Sequence, residues 1–341
     1  MGGNLLCKFG LPNKRLAVSE FTRISSRVRE TILYRFPERR IEVVKFFKNK
    51  SSFGDIDFVH DIDKNSLLEF IRAEMYNHPH VNGNIVSLPW DGAQIDLISV
   101  NPEDYEVASS FFSYECGMSV GIIANAIGLR YGWDGLHLKY PLSLISPELP
   151  AHDFFLVALD KEPATIYTLL GFDYKRLQKG FRDKEEFFDW VCSSEFFDPR
   201  IFNLDELNHQ NRIRNKKRPT YNALVDYVSD KQAKPRPTKE EVRALILNKY
   251  PHVQNEIERK SVQIIKNKER AAKFNGNIVR EITGLEGAAL GKLINEFKNM
   301  YGKAQSFEEF LDRRTVEDVG DKLKQFCFLK GLLKKVDGEP I

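Results

Sequence analysis

Apolar residues recur every three or four positions early in the chain and predict an amphipathic helix over residues 14–35, which Pro37 ends. Four short apolar runs of the kind found in strands follow, at residues 41–47, 54–59, 85–88 and 94–98. Helical spacing returns between the second and third runs, over residues 67–75. The pattern predicts a small mixed β-sheet with helices on one side, running to about residue 105.

Helical patterns dominate after this sheet region. They cover most of residues 106–200, and an apolar helix is expected at Ser119–Ile127. Residues 208–238 are polar, basic and interrupted by prolines, which is typical of a linker. Thr238 and the acidic residues after it predict the N-cap of a final all-helical region. We therefore expect an α+β fold with a sheet domain (1–105), a helical domain (106–207), a basic linker (208–238) and a helical C-terminal domain (239–341).

Composition narrows the class of protein. With 341 residues and 42% hydrophobic content, the chain is long enough for two or three globular domains. The net charge is only +3, so any nucleic-acid surface must come from local clustering of cations. The four cysteines are widely spaced, which argues against a zinc site or a disulfide framework. No signal peptide or membrane-spanning run is expected, so we predict a cytoplasmic, intracellular protein without a membrane partner.

Three aspartates carry the candidate chemistry. Asp55 and Asp57 alternate with Ile56, so both side chains should point to one face of a strand. Asp96 lies in a second apolar strand, where a lone carboxylate would be costly to bury without a partner or a metal. If the strands pair, the three carboxylates meet at one edge and predict a Mg²⁺ site. Two such ions, Mg²⁺ or Mn²⁺, would suit an in-line phosphoryl transfer.

The segment from about Ile41 to Asp198 resembles the nucleotidyltransferase superfamily, and within it the DNA polymerase beta (family X) branch. In that family a strand and a basic turn lead into Gly-Asp-x-Asp, and Lys45–Asp57 has the same layout. The third carboxylate of the family corresponds to Asp96. The resemblance implies a small mixed-sheet palm for residues 1–105. It also implies that the three aspartates are catalytic and bind the metals.

Later segments extend the resemblance. Ser119–Ile127 followed by Gly128–Leu136 is similar to the thumb-like helix and short strand of that family, and Thr165–Phe172 is similar to a later helix ending in Leu-Gly-Leu. A second resemblance links Asn277–Ile294 to the tail-domain helix pair of tRNA nucleotidyltransferases. These likenesses imply a helical thumb-like domain, and a C-terminal helical domain that contacts nucleic acid.

The family pattern is incomplete at one place. The superfamily usually has Gly-Ser at the end of the strand before the carboxylates, where it grips the triphosphate, and here Val44 and Lys45 stand there. Either Ser51, Ser52 and the nearby lysines replace that contact, or the grip on triphosphate is weakened.

The remaining binding residues are predicted from the type of side chain and its position relative to the aspartates. Lysines before the carboxylates suit a triphosphate, a glycine permits close phosphate approach, and aromatic rings could stack on a base. The expected nucleotide-binding residues are Lys45, Lys48, Lys50, Ser51, Ser52, Gly54, Tyr131 and Trp133. The densest cationic stretch is the expected polynucleotide contact, through Arg212, Arg214, Lys216, Lys217 and Arg218.

Three functions are consistent with these patterns. The first is transfer of a nucleotide from a nucleoside triphosphate to the 3′-hydroxyl of an RNA, with tRNA favoured by the C-terminal resemblance. The second is a family X DNA polymerase or terminal transferase acting on a DNA 3′-end. The third is a nucleic-acid-binding protein of the same fold with weak catalysis, which the missing Gly-Ser keeps open.

Overall fold

A computed structural model describes residues 5–8, 10, 15–302 and 304–332 of the chain. Helices account for 57% and strands for 14% of the structure, so the fold is mixed α+β, as predicted. Contacts divide the chain into two compact units, residues 1–253 and residues 254–341. The ends of the predicted first and last domains, residues 1–4 and 333–341, lie outside the described residues.

The first unit opens with a sheet and its helices. In chain order the elements are α1 (Leu5–Lys8), β1 (Leu16–Ala17), α2 (Val18–Arg35), β2 (Ile41–Val43), β3 (Ser52–Phe53), β4 (Ile56–His60), α3 (Lys64–Phe70), β5 (His80–Asn82), β6 (Ile85–Trp90) and β7 (Ala93–Ser99). A π-helical turn at Ile71–Met75 continues α3. The main sheet has the order β2-β4-β7-β6-β5, in which β4 and β7 are parallel and the other pairs are antiparallel. This is the small mixed sheet that the sequence predicts.

The two faces of this sheet carry different side chains because successive residues of a strand point to opposite sides. Ile56 and Phe58 of β4 lie in one hydrophobic core with α2 and α3. The helical spacing of α2 explains its role, since Phe21, Ile24 and Val28 are buried on one stripe. The opposite face of the sheet therefore carries the alternate residues, among them Asp57 and Asp96.

The first unit continues with helices and a second sheet. Its elements are α4 (Tyr105–Phe112), α5 (Cys116–Ala126), β8 (Leu129–Gly132), β9 (Gly135–Pro141), β10 (Phe154–Asp160), α6 (Pro163–Leu169), α7 (Tyr174–Lys179), α8 (Lys184–Ser193), α9 (His209–Asn215), α10 (Pro219–Val228) and α11 (Lys239–Lys249). Tyr105 and Ala108 of α4 pack against Val59 and Ile98 on the open face of the main sheet. This packing joins the region after residue 105 to the sheet in one compact unit.

Residues 106–207 contain a second sheet among their helices, whereas the sequence analysis expected a mostly helical domain with one short strand within Gly128–Leu136. Strands β8, β9 and β10 form an antiparallel sheet in the order β10-β9-β8. Trp133 and Asp134 form a two-residue turn between β8 and β9. Leu136 and Leu138 alternate with half-exposed residues along β9, so the period of two was visible in the sequence. The apolar helices on either side obscured it.

The predicted linker is also largely helical. Residues 209–228 form α9 and α10, and the stretch without helix or strand is confined to residues 231–238. Pro219 occupies the first turn of α10, where its missing N–H has no partner to lose. Tyr221 and Leu224 are buried on the inner side of α10. The proline therefore begins a packed helix and does not mark a flexible segment.

The division between the compact units falls between Val253 and Gln254, whereas the sequence analysis places boundaries at 105, 207 and 238. Thr238 caps α11 as predicted, in a reciprocal arrangement with Glu241. The helix it begins belongs to the first unit. Tyr250, just after α11, hydrogen-bonds Asp160 at the end of β10 over 3.3 Å, which ties α11 to that unit.

The second unit is all-helical over its described residues, as predicted. Its elements are α12 (His252–Lys273), of which Gln254 onward belongs to this unit, α13 (Gly276–Thr283), α14 (Gly287–Asn299), α15 (Ala304–Asp312) and α16 (Val316–Leu329). Leu293 and Phe297 lie in its core, and Leu290 and Ile294 pack against that core half-buried. The predicted apolar face of α14 is therefore the face that folds inward.

One stretch, Pro102–Ala126, is long and apolar enough to cross a bilayer by length and composition. Of its most apolar window, 67% is buried inside the protein. The same stretch contains α4 and α5, which are separated by a kink at Tyr114. These are the properties of buried core helices, and they make this stretch weak evidence for a membrane span.

Candidate metal centre

The three aspartates singled out from the sequence lie together. Strands β4 and β7 are parallel neighbours, and their register places Asp57 directly beside Asp96. Asp55 lies just before β4. Each of the three carboxylates offers one oxygen, and these oxygens all lie within 4.8 Å of one another. All three side chains are half-buried.

The pKa values of the triad reflect this crowding. Burial, together with the negative charges of Asp55 and Asp96, raises the pKa of Asp57 to about 7. Burial also raises the pKa of Asp96, against the hydrogen bonds from Ser87 and Gln94. Negative charge is therefore concentrated here at a cost in free energy, and a cation bound between the carboxylates would lower that cost.

The donor set fits a hard divalent cation. It consists of carboxylate oxygens, which Mg²⁺ and Mn²⁺ prefer, and it leaves room for water or substrate phosphates as further ligands. The three aspartates could therefore hold a metal ion.

Two neighbours orient Asp96, and sequence reasoning did not identify either. Gln94 precedes Asp96 by two positions on the same strand face, and its amide donates to both carboxylate oxygens over 3.1 and 3.0 Å. Ser87 of β6 lies opposite Asp96 in the strand register and hydrogen-bonds it. The i, i+2 spacing of Gln94 was the available signal, whereas the contact with Ser87 required the pairing of β6 with β7.

Among the lysines predicted to bind nucleotide, Lys50 is the one whose pKa is affected by the charges of the triad. Partial burial lowers its pKa, and the charges of Asp55 and Asp57 oppose that shift. Its ammonium group lies 4.7 Å from the centre of the Phe53 ring. Lys50 is therefore placed to meet an anionic group that approaches the carboxylates.

The other residues of this loop have distinct environments. Lys45, Lys48 and Ser51 are exposed, and Gly54 is half-buried. The hydroxyl of Ser52 accepts a hydrogen bond from Nε of Arg15 over 3.0 Å, and the carbonyl of Ser52 accepts one from Nη2. Arg15 thus adds a guanidinium beside the triad that no sequence motif indicated. The Ser52 hydroxyl accepts the bond from Arg15, so its own O–H can still donate to a phosphate, and its predicted contact with triphosphate stays a prediction.

Val44 and Lys45, which stand where the superfamily has Gly-Ser, use their backbone groups in hydrogen bonds within the protein. The backbone N–H of Val44 donates to the carbonyl of Asp57 over 2.9 Å. The carbonyl of Lys45 accepts from the N–H of Tyr114 over 3.1 Å. These groups build the sheet and the adjoining loop, so they do not replace the phosphate contacts of the usual motif.

The two aromatic residues predicted to stack on a base differ in exposure, and for Trp133 stacking stays a prediction. Tyr131 is only 5% exposed, and its hydroxyl hydrogen-bonds that of Tyr167 over 2.8 Å. Its ring is therefore not available for stacking, which corrects the expectation. Trp133 is half-buried and packs against the cluster formed by Val59, Ile98 and α4. Both rings support the fold around the triad.

The cationic stretch lies on α9 and the turn that follows it. Four of its five side chains are exposed and Arg218 is half-buried. Within the described part of the chain none of the five forms an ion pair; they are Arg212, Arg214, Lys216, Lys217 and Arg218. Arg218 is within electrostatic range of Glu115, which in turn acts on Lys50. Of the five cations, Arg218 is thus the one with an electrostatic connection to the residues around the triad loop.

No protein-family model matches the chain, and no curated protein shows significant similarity to it.

Proposed function

We propose that this protein is a metal-dependent nucleotidyltransferase that transfers a nucleoside monophosphate from a nucleoside triphosphate to the 3′-hydroxyl of a polynucleotide. The acceptor we favour is RNA, with tRNA the first to test. The observation that carries the proposal is the convergence of Asp55, Asp57 and Asp96 in one half-buried cluster with oxygens within 4.8 Å. A palm-like sheet and a thumb-like helical region are the architecture that this activity implies.

In the proposed reaction, each of these residues would have a separate role. Asp55 and Asp57 would hold both metals, and Asp96, oriented by Gln94, would hold the catalytic one and help to remove the proton of the acceptor hydroxyl. Divalent ions bound there supply charge stabilisation for the attacking and leaving oxygens. Lys50 meets the triphosphate, and most of the rate enhancement comes from positioning and electrostatics.

The unpaired cations of α9 support a polynucleotide acceptor over a small molecule. Exposed arginine and lysine side chains without internal partners are free to contact phosphates. Arg218, in the turn after α9, lies within electrostatic range of Glu115, which also acts on Lys50, and this supports an acceptor path toward the triad.

The direct test is nucleotide transfer by the full chain. The protein is incubated with Mg²⁺ and each labelled nucleoside triphosphate, together with either tRNA or primed DNA. Extension of tRNA supports the proposal, extension of DNA alone assigns a DNA polymerase or terminal transferase, and extension of neither leaves a binding protein of this fold.

Asp57→Asn and Asp96→Asn should each abolish transfer, because each removes a charged metal ligand, while far-ultraviolet circular dichroism stays unchanged. Asp230→Asn is the matched control, since Asp230 is exposed and forms no hydrogen bond or ion pair within the described residues. Wild-type activity in either triad variant would refute the catalytic assignment.

A further inference from the structure

A cavity of about 190 Å³ lies beside the triad in the first unit. Val44 and Val59 form its apolar part, on the open face of the main sheet. Tyr105 and Ser109 of α4 line it from above, and Tyr174 of α7 lines it from the side. Ligand sites combine such apolar surface with a few placed polar groups.

The position of the cavity relative to the triad is set by strand geometry. Val59 follows Asp57 by two residues, so both side chains point to the same face of β4 about 7 Å apart. Val44 hydrogen-bonds Asp57 through the backbone, and Lys45 continues the lining toward the triad. The cavity therefore begins on the same face of the main sheet as Asp57, one pair of residues further along β4.

Two polar groups of the lining lack a well-aligned hydrogen bond. The hydroxyls of Tyr105 and Ser109 are buried, and within the described structure they lie close enough to interact with each other but have no other partner. Leaving a buried polar group unpaired costs about 1–3 kcal/mol. The neighbouring hydroxyls of Ser110 and Ser113 are different, because they donate to backbone carbonyls of α4 over 2.9 and 2.6 Å. The hydroxyls of Tyr105 and Ser109 lie one helical turn apart and can face the same ligand edge.

The acidic residues at the cavity are each paired with an arginine. Glu42 is paired with Arg29 at 3.0 Å and Glu106 with Arg40 at 3.3 Å. These pairs offset part of the negative charge that acts on Tyr105, and Lys45 adds a positive charge to the lining. A planar heterocycle attached to a phosphate chain matches this distribution of charge.

We propose that this cavity receives the base of the incoming nucleoside triphosphate, and that the hydroxyls of Tyr105 and Ser109 select the base by hydrogen bonding. The inference rests on the proposed nucleotide transfer and adds the specificity-determining residues of that reaction. Hydrogen-bonding sites discriminate strongly, because a wrong base leaves the buried hydroxyls unpaired.

The test measures kcat and KM of the full-length enzyme for ATP, GTP, CTP and UTP, each with Mg²⁺. The wild type should prefer one base. Tyr105→Phe and Ser109→Ala should each raise the KM for that nucleotide, about tenfold at most, and leave kcat nearly unchanged, because the lost bond exists before and during transfer. Binding of the four nucleosides can also be measured by ligand-detected NMR without metal. The wild type should show the same base preference, and the two variants should lose it.

Ser119→Ala is the matched control. Its hydroxyl is also buried and lacks a well-aligned hydrogen bond, but Ser119 lies on α5 and does not line the cavity, so base preference should stay at the wild-type level. Transfer with equal KM for all four nucleotides, or a preference unchanged in both α4 variants, would overturn this inference alone. Absence of transfer and of nucleotide binding in the wild type would overturn the proposed function as well.

Discussion

Asp57 carries the least favourable charge of the triad because it is buried between two other carboxylates. Its neighbour Asp96 is better supported, since Gln94 and Ser87 donate hydrogen bonds to it. The two carboxylates therefore differ in how firmly they are oriented and in how much a bound cation would stabilise them. A carboxylate fixed by neutral donors keeps its orientation, whereas a crowded one gains most from a bound cation.

His60, on the inner face of β4, makes the stability of the first unit depend on pH. It is fully buried; its Nδ1 accepts from the N–H of Ile62 over 3.3 Å, and its Nε2 lies 3.2 Å from the hydroxyl of Ser99. Burial lowers the pKa of His60 to about 4, although Asp61 acts in the opposite direction. The unfolded chain, with an ordinary histidine, binds a proton at higher pH, so stability is lost as the pH falls from about 6.5 toward 4.

Between pH 7 and pH 5 this group alone should remove about 2 kcal/mol from the free energy of unfolding. Urea denaturation followed by tryptophan fluorescence measures it, because Trp90, Trp133 and Trp190 all lie in the first unit. The exposed His152 gives the control, and His152→Gln should retain the full pH effect. A His60→Gln variant with the same pH dependence as the wild type would contradict this assignment.

At the scale of elements, the loop between β2 and β3 is held by two other segments. The N–H groups of Lys48 and Asn49 donate to the carbonyls of Phe181 and Arg182 over 3.1 and 2.8 Å. On the other side the kink between α4 and α5 contacts the loop through Tyr114, which has a left-handed backbone with φ of 51°. The lysines of the loop thus take their positions from helices that are distant in sequence.

Gly180 is the tightest point of this arrangement. Its φ is +74°, and a Cβ there would lie 2.5 Å from the hydroxyl of Tyr114, whose ring is packed against Phe47 and Phe181. Gly180→Ala should lower the free energy of unfolding by roughly 1–3 kcal/mol, from backbone strain and overpacking together. It should also reduce nucleotide transfer, because the lysine loop is displaced.

Gly83→Ala separates the two causes. Gly83 also has a positive φ, of +59°, but nothing lies within 4 Å of the added Cβ. This variant should show the backbone cost alone and keep transfer activity. Equal destabilisation of the two variants in urea, with equal activity, would show that Tyr114 does not constrain the loop.

At the scale of the whole molecule, charge is nearly balanced, with 51 lysines and arginines against 48 aspartates and glutamates. The protein can therefore attract a polynucleotide only through surface regions whose lysines and arginines are not paired with acidic side chains. The stretch on and after α9 meets this condition in the first unit. Binding carried by these groups should weaken steeply with salt, since each phosphate contact releases counterions.

Replacing Arg212, Lys216 and Lys217 by Gln should therefore weaken RNA binding and flatten its salt dependence. Loss of three phosphate contacts lowers the slope of log K against log salt by about 2 for a single strand. Fluorescence anisotropy with a labelled RNA at several salt concentrations measures this slope.

The control removes three other exposed arginines, Arg35, Arg39 and Arg72, from the helical side of the main sheet, opposite the triad. The slope should then stay at the wild-type value. A slope that is the same in the α9 variant and in the wild type would remove this stretch from the interface.

Helix positions, a helix cap and the shared face of two aspartates could be predicted from the sequence alone, because each depends on residues close together in the chain. The spacing of Phe21, Ile24 and Val28 gave α2, the Thr238–Glu241 pair gave the start of α11, and the alternation around Ile56 put Asp55 and Asp57 on one side. These outcomes depend on periodicity and capping, which act over a few residues. The choice of the three aspartates followed from the same short-range patterns.

The residues that surround the triad depend on long-range strand pairing and packing. The parallel register of β4 and β7 brings Asp57 beside Asp96, and the pairing of β6 adds Ser87. Arg15 reaches Ser52 across 37 positions, and burial removes Tyr131 from any role in stacking. Such contacts join segments far apart in the chain, and their partners follow from strand order and packing, which no local pattern in the sequence specifies.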